Sequence, residues 1–326
     1  MELLTSLGSS LLSPMVLAFA LGIIATLLKS DLSFPAELQS ALTIYLLFAI
    51  GLKGGMKLEG LSLAVVGAPL LGAILLSFII PVWSFHILKG VVRLDSINAG
   101  AIAAHYGSVS AVTFSAALAF LETAKVSVEG YVPALLAVME APAIIVAVFL
   151  ALRNTKTSSS QPGEFKKLLH DLLTGKGIIL LLGGLVIGLL CGRKGFDQVA
   201  PLFDAPFKGV LTLFLLEVGL ITGRRLHDLK TVGWRLVAFA LVMPVLHGFI
   251  GALVGKWCGL GVGGTTVLAT LAASASYIAA PAAIRIALPS ASPALYFTSS
   301  LAMTFPFNIV FGIPIYHGFA KFLLHV

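Results

Sequence analysis

Charge is scarce in this chain: only 11% of its 326 residues are Asp, Glu, Lys or Arg, where a soluble domain carries roughly 25%. That shortage excludes an ordinary water-soluble domain. Cysteine is nearly absent as well. Cys191 and Cys258 stand alone, without metal-binding spacing, so neither a disulfide framework nor a thiolate metal centre is encoded. There is no P-loop, which removes ATP-driven pumping by this chain. No HExxH, CxxC or GxSxG motif points to a metalloenzyme or a hydrolase. What fills the chain instead is apolar sequence, 58% of it, with mean hydropathy +1.04. Apolar runs of about 20 residues, each long enough to cross a bilayer core, recur from end to end. The expectation is an all-α, multi-pass integral membrane protein, not an enzyme. Its net charge of +7 reads as the basic excess that orients such a protein, with no nucleic acid involved.

Runs bounded by charge or Gly/Pro place ten spans, at 11–29, 36–53, 60–88, 96–121 and 130–152, then 175–192, 206–223, 232–258, 263–288 and 293–321. The start, MELLTSLGSS, has Glu2 and no Lys or Arg, so the first span is expected to be retained rather than cleaved as a signal peptide. The one long polar stretch, RNTKTSSSQPGEFKKLLHDLLTGKG (153–177), reads as a linker with a short surface helix at 164–173. It separates a first unit, 1–152, from a second, 178–326.

The two units resemble each other. Gly51-Leu52-x-x-Gly55-x-x-Leu58 recurs 168 positions later as Gly219-Leu220-x-x-Gly223-x-x-Leu226. Met139-x-x-Pro142 recurs 164 positions later as Met303-x-x-Pro306, and GSVSAVTF (107–114) aligns with SYIAAPAA (276–283) at an offset of 169. Two units of five spans each must enter the membrane from opposite sides, an inverted repeat typical of secondary transporters. With the N-terminus outside, thirteen of the 21 basic residues fall in cytoplasmic loops, as the positive-inside rule asks. Both termini are then expected outside the cytoplasm, and the protein in the inner or plasma membrane.

Each unit has one span weakened at a matching place. The first carries AHYGSVSAVTF (104–114), the second SASYIAAP (274–281). Gly107 and its neighbouring serines permit a helix break, and Pro281 favours the first turn of a new helix. A broken helix presents N–H groups to an anion and carbonyls to a small cation such as Na+. Small residues in membrane helices also serve as packing faces, and that alternative stays open here. Glu140 is a membrane-embedded carboxylate, either a Na+ ligand, a proton acceptor or an interfacial residue; Thr304 is its repeat counterpart, with Asn308 a turn later. Glu217, with Ala49 at the matching place, is expected to pair with a basic residue. His105 and His247 read as structural, and Arg285 as snorkelling to water.

GSVSAVTF, PVLHGFIGA (244–252), ASASYIAAPAAIRIALPSASPALY (273–296) and IGLKGGMKL (50–58) together resemble the sodium-dependent bicarbonate transporter family of cyanobacterial type. The resemblance runs over essentially the whole chain. It implies a five-plus-five inverted arrangement with spans 4 and 9 broken and crossing. It also implies a homotrimer, an elevator-like motion of a core against a gate, and a PII-like regulator on the cytoplasmic side. Photosynthetic members carry an acid where this chain has Tyr277 and a serine where it has Ala279, while Glu140 matches a family aspartate. The expected function is Na+-dependent symport of bicarbonate into the cell, with a transporter or channel for another small anion, sodium-coupled or not, as the alternative. The anion site is expected at Gly107, Ser108, Val109, Ser110 and Ala111 and at Tyr277, Ile278, Ala279 and Ala280. The Na+ site is expected at Thr113, Glu140, Ser274, Ser276 and Asn308.

Overall fold

The computed structural model describes residues 12–60, 62–154, 170, 173–230 and 232–326, and every regular element among them is helical. In chain order these are α1 (Pro14–Leu27), α2 (Ala36–Leu58), α3 (Leu63–Ile87), α4 (Ser96–Gly107), α5 (Ala111–Thr123), α6 (Val132–Glu140) and α7 (Pro142–Arg153). The second half adds α8 (Lys176–Phe203), α9 (Phe207–Arg225), α10 (Trp234–Trp257), α11 (Val262–Ala273), α12 (Ala279–Ala287) and α13 (Pro293–Leu324). A π turn, Leu88–Val92, prolongs α3, and two π segments, Thr298–Thr304 and Asn308–Gly312, lie within α13. The short helix expected at 164–173 lies, apart from residues 170 and 173, outside the described residues.

Among the described residues, seven helical stretches are long and apolar enough to cross a membrane: α2, α3 with its π turn, the α4–α5 stretch, the α6–α7 stretch, α8, α10 and α13. Helices α1 and α11 are apolar but shorter. Exposed apolar side chains run in stripes, for example Leu71, Leu75, Phe78, Ile79 and Val82 along α3. Such a helix, apolar on its outer face as well as its inner one, suits lipid rather than water. The protein is a multi-pass membrane protein.

Two expected span limits move. The span expected at 36–53 stopped at its first lysine, but α2 continues to Leu58. Lys53 has company there: its Nζ lies 2.5 Å from Asp204 and 4.5 Å above the centre of the Phe207 ring. The span expected at 175–192 is the apolar part of α8; at Gly192, with φ 57° and ψ −163°, the chain kinks before running on to Phe203. A left-handed φ of that kind favours glycine.

Helices from the two halves pair across the sequence. α2 packs along α8, and α1 along α9. Both contacts are glycine-to-glycine. A Cβ on Gly51 would meet Leu181 O at 2.5 Å and Gly184 Cα at 3.0 Å, and one on Gly219 would meet Gly22 Cα at 3.1 Å. Small residues let the backbones close to within reach of each other, the usual basis of helix association in lipid. The repeated Gly51/Gly55 and Gly219/Gly223 motif is therefore a packing face. A second group consists of α3, α4 and α7 packed together, and α10, α11 and the end of α13 packed together. The α4–α5 stretch is the most enclosed of the spans, 83% buried against 28% for α8.

Candidate functional site

Helix α4 ends at Gly107, Ser108–Ser110 run extended, and α5 begins at Ala111. The end is made by local chemistry. Ser110 has β-region φ and ψ, and its Oγ accepts from Thr113 N at 3.2 Å, an N-cap for the new helix. Thr113 Oγ1 donates to the same oxygen at 3.0 Å. Gly107 has no room for a side chain, since a Cβ would lie 2.7 Å from both Pro81 Cδ and Ala143 Cβ. In the second half α11 ends at Ala273, and the chain leaves helical geometry through Ser274 before α12 starts at Ala279. Ser276 Oγ accepts from Ala280 N at 3.3 Å in the first turn of α12.

The two interruptions touch. Ser276 N donates to His105 O at 2.8 Å, and Ser110 N donates to Ser274 Oγ at 3.0 Å. Each bond ties the chain just outside one interruption to the other, across more than 160 residues of sequence. Two helix N-termini, of α5 and α12, and two C-termini, of α4 and α11, are thereby gathered in one place. Partial positive charge at the N-termini and partial negative charge at the C-termini can serve an anion and a cation together.

A cavity of about 450 Å³ opens beside the second interruption, reaching Tyr277, Ile278, Pro281 and Ala282. Lys176, Arg225 and Arg285 line it, and no Asp or Glu is among its described lining residues. On the opposite side, a cavity of about 460 Å³ stops at Ser115 and Leu118, short of the first interruption. Residues Gly107 to Ser110 are buried, whereas Tyr277, Ile278 and Ala279 are half-buried at the cavity's edge.

The model of the Na+-dependent bicarbonate transporter superfamily matches residues 14–321. The chain belongs to that superfamily. Among curated proteins, none matches the chain. Membership makes the protein a transporter rather than an enzyme, and it puts the paired interruptions of this superfamily member in a functional light.

The expected site residues fall into two groups. Ser110, Thr113, Ser274 and Ser276 come together through the bonds described above. Asn308 joins them from α13: its Nδ2 donates to Ala273 O at 3.0 Å and so caps α11, while its Oδ1 accepts from Tyr316 OH at 2.6 Å. Glu140 is placed differently. Its backbone oxygen accepts from Ser108 Oγ at 2.8 Å, its Oε1 lies 2.6 Å from where a Cβ on Gly177 at the start of α8 would stand, and it lines a cavity of about 140 Å³ with Ile278 and Ala279 of the second interruption. Glu217 was expected to pair with a basic residue; it makes no ion pair among the described residues, and its Oε2 is buried without a hydrogen-bond partner.

Sequence reasoning missed Tyr316, which holds Asn308. The signal was an Asn308-x3-Gly312-x3-Tyr316 spacing down one helix face, with Gly312 leaving the room: a Cβ there would lie 2.6 Å from Asn308 Oδ1 and 2.9 Å from Tyr316 OH. It also missed the partner of Thr304, whose hydroxyl bonds Tyr106 OH at 2.6 Å and Ala240 O at 2.7 Å. The oxygens at the interruptions are hydroxyls and carbonyls, hard neutral donors of the kind that suit Na+. Among the described residues, no group of three or more His, Cys, Asp or Glu could hold a metal ion.

Proposed function

We propose that this protein is a secondary active transporter that moves bicarbonate into the cell together with Na+. The observation that carries the reading is the pair of bonds, Ser276 N to His105 O and Ser110 N to Ser274 Oγ, joining two helix interruptions in a chain of this superfamily. The anion binds the N–H groups and hydroxyls of Gly107–Ala111 and Tyr277–Ala280, where α5 and α12 begin. Sodium, as co-substrate, takes oxygens of Thr113, Ser274, Ser276 and Asn308, with Glu140 adding charge from the rim.

The architecture proposed for this activity is ten spans in two inverted units, 1–152 and 178–326, around a cytoplasmic linker, 153–177, with both termini outside. Spans 4 and 9 are the interrupted, crossing pair. Exchanging the two units turns the α1–α9 contact into the α8–α2 contact, and turns the α3–α4–α7 group into the group of α10, α11 and the end of α13; that exchange supports the repeat. The glycine-faced group of α1, α2, α8 and α9 serves as the gate against which the rest moves in an elevator-like step. The membrane is the inner or plasma membrane, the assembly a homotrimer, and a PII-like protein regulates it from the cytoplasm.

Radiolabelled bicarbonate uptake into proteoliposomes, with and without an inward Na+ gradient, tests this. Uptake that rises with the gradient is expected. Uptake indifferent to sodium refutes symport, and no bicarbonate uptake refutes the substrate. The second reading, a small-anion transporter without sodium coupling, is favoured by one observation: Tyr277 offers the second interruption a hydroxyl and no carboxylate.

A further inference from the structure

Two arginines at one end of the helices lack an acidic partner. Arg93 is the left-handed residue, φ 68° and ψ 39°, that ends the π turn after α3, and Arg235 stands in the first turn of α10. Neither makes an ion pair among the described residues. The acids nearest to them along the chain are engaged elsewhere. Asp95 Oδ1 accepts from Ile97 N and Asn98 N, each at 3.0 Å, and Asp228 holds Arg225.

The π turn packs on α10, and both arginines line one open groove of about 510 Å³ between them. No Asp or Glu is among its described lining residues, and its walls are otherwise apolar, with Val91, Trp234, Phe239, Val242 and Met243. Val91, Trp234 and Val242 are 65%, 75% and 53% exposed, so the groove opens outward, to lipid rather than to the core. The Arg235 guanidinium carbon stands 5.7 Å from the centre of the Trp234 ring, and a tryptophan beside a cation marks the level where headgroups meet acyl chains.

The groove is also polar at one end only. Its cations lie at the start of α10, while its apolar wall continues to Met243, about 12 Å along the helix. Guanidinium forks match phosphate oxygens, and an apolar trough running away from them matches a hydrocarbon chain. A free phosphate would use the arginines and leave the trough bare. We infer that this groove binds one anionic phospholipid, its phosphate between Arg93 and Arg235 and an acyl chain laid along α10. The face concerned is the one expected to be cytoplasmic, where the leaflet is rich in anionic lipid. The site is independent of what the protein transports.

Thermal unfolding of the full chain in detergent, with phosphatidylglycerol or phosphatidylcholine added, tests this. Phosphatidylglycerol is expected to raise Tm saturably, and phosphatidylcholine is not. Arg93→Gln combined with Arg235→Gln should raise the half-maximal phosphatidylglycerol concentration about tenfold, and the corresponding pair of lysine substitutions should recover part of that loss. The control is Arg153→Gln. Arg153 is exposed at the same end of the helices, next to Asn154, which accepts from Lys89 Nζ at 3.2 Å, but it lies outside the groove; its loss should leave the response unchanged. Where the double variant does not fold, each single variant carries the test, with an expected shift of about threefold. Equal responses to the two lipids, or an unchanged half-maximal concentration in the groove variants, overturns the inference. Stabilisation by inorganic phosphate equal to that by phosphatidylglycerol makes the groove a free-anion site and also overturns it. So does a change in oligomeric mass of the double variant without any lipid-specific response, which would give the groove to a second copy of the chain.

Discussion

Replacing Ser110 by Ala removes one oxygen that accepts two hydrogen bonds, from Thr113 N at 3.2 Å and Thr113 Oγ1 at 3.0 Å. The site is dry: Ser110 is 4% exposed and Thr113 1%. Losing the N-cap costs about 1 kcal/mol. Leaving the Thr113 hydroxyl without its partner costs about another 1 kcal/mol. The total, about 2 kcal/mol, corresponds to roughly a 30-fold change in an equilibrium constant and, for a chain of this length, to a fall in Tm of about 3 °C. The control is Ser115→Ala. Ser115 Oγ donates to Ala111 O, four residues back at 2.8 Å, and that carbonyl keeps its helical N–H partner. Ser115→Ala should therefore cost less than about 0.5 kcal/mol. Thermal unfolding of both variants in lipid nanodiscs, beside uptake assays, gives the comparison. Equal melting temperatures for the two would refute the assignment of Ser110 as the cap that starts α5. Normal uptake by Ser110→Leu would remove the first interruption from the transport site.

A second pair of variants tests the glycine contacts. Gly51→Ala places a Cβ 2.5 Å from Leu181 O, whereas Gly67→Ala meets nothing within 4 Å; the first should lose about 1–3 kcal/mol by overpacking, the second nothing measurable, as read by Tm. Asn308→Ala should lower Tm regardless of sodium, by about 2–4 kcal/mol in stability, because it strips partners from the buried Tyr316 hydroxyl and Ala273 carbonyl. The last prediction concerns pH. Partial burial pushes the Asp95 carboxyl up, but hydrogen bonds from Asn98 and Ile97 outweigh it and hold the carboxyl below its ordinary value. A depressed value means the charge-dependent stability is present above the ordinary carboxylate range and is lost as pH falls through it. The Tm gap between wild type and Asp95→Asn should accordingly be widest at neutral pH and close on acidification; a gap that widens in acid would contradict it.

The apolar runs and the small-residue patches were readable because they are local. A span is a composition over about 20 residues, and a helix stop is a Gly, Ser or Pro in the right place. Ser110 capping α5 and Pro281 in the first turns of α12 are events of that kind. Where charge interrupted a run, the reading stopped early, as at Lys53, because a cation held by Asp204 and the Phe207 ring does not end a helix. Pairing is another matter. Nothing along the chain says that Gly51 meets Gly184, since the same small-residue spacing suits any helix that approaches.

The amino-acid order was enough to establish a helical, multi-pass membrane protein and a twofold recurrence of motifs. Its superfamily is legible from the same residues. The direction in which a buried polar group points depends on neighbours far away in the chain, so it was decided only by packing. Glu140 and Glu217 show this most plainly. Both are single carboxylates in apolar runs, and sequence alone favoured Glu140 for its place beside Pro142. The fold sets Glu140 between the start of α8 and the second interruption, in a cavity it shares with Gly177, Ile278 and Ala279, and leaves Glu217 buried in α9 with its Oε2 unpartnered. Buried charge must be answered by something close in space, and closeness in space is what a sequence does not contain.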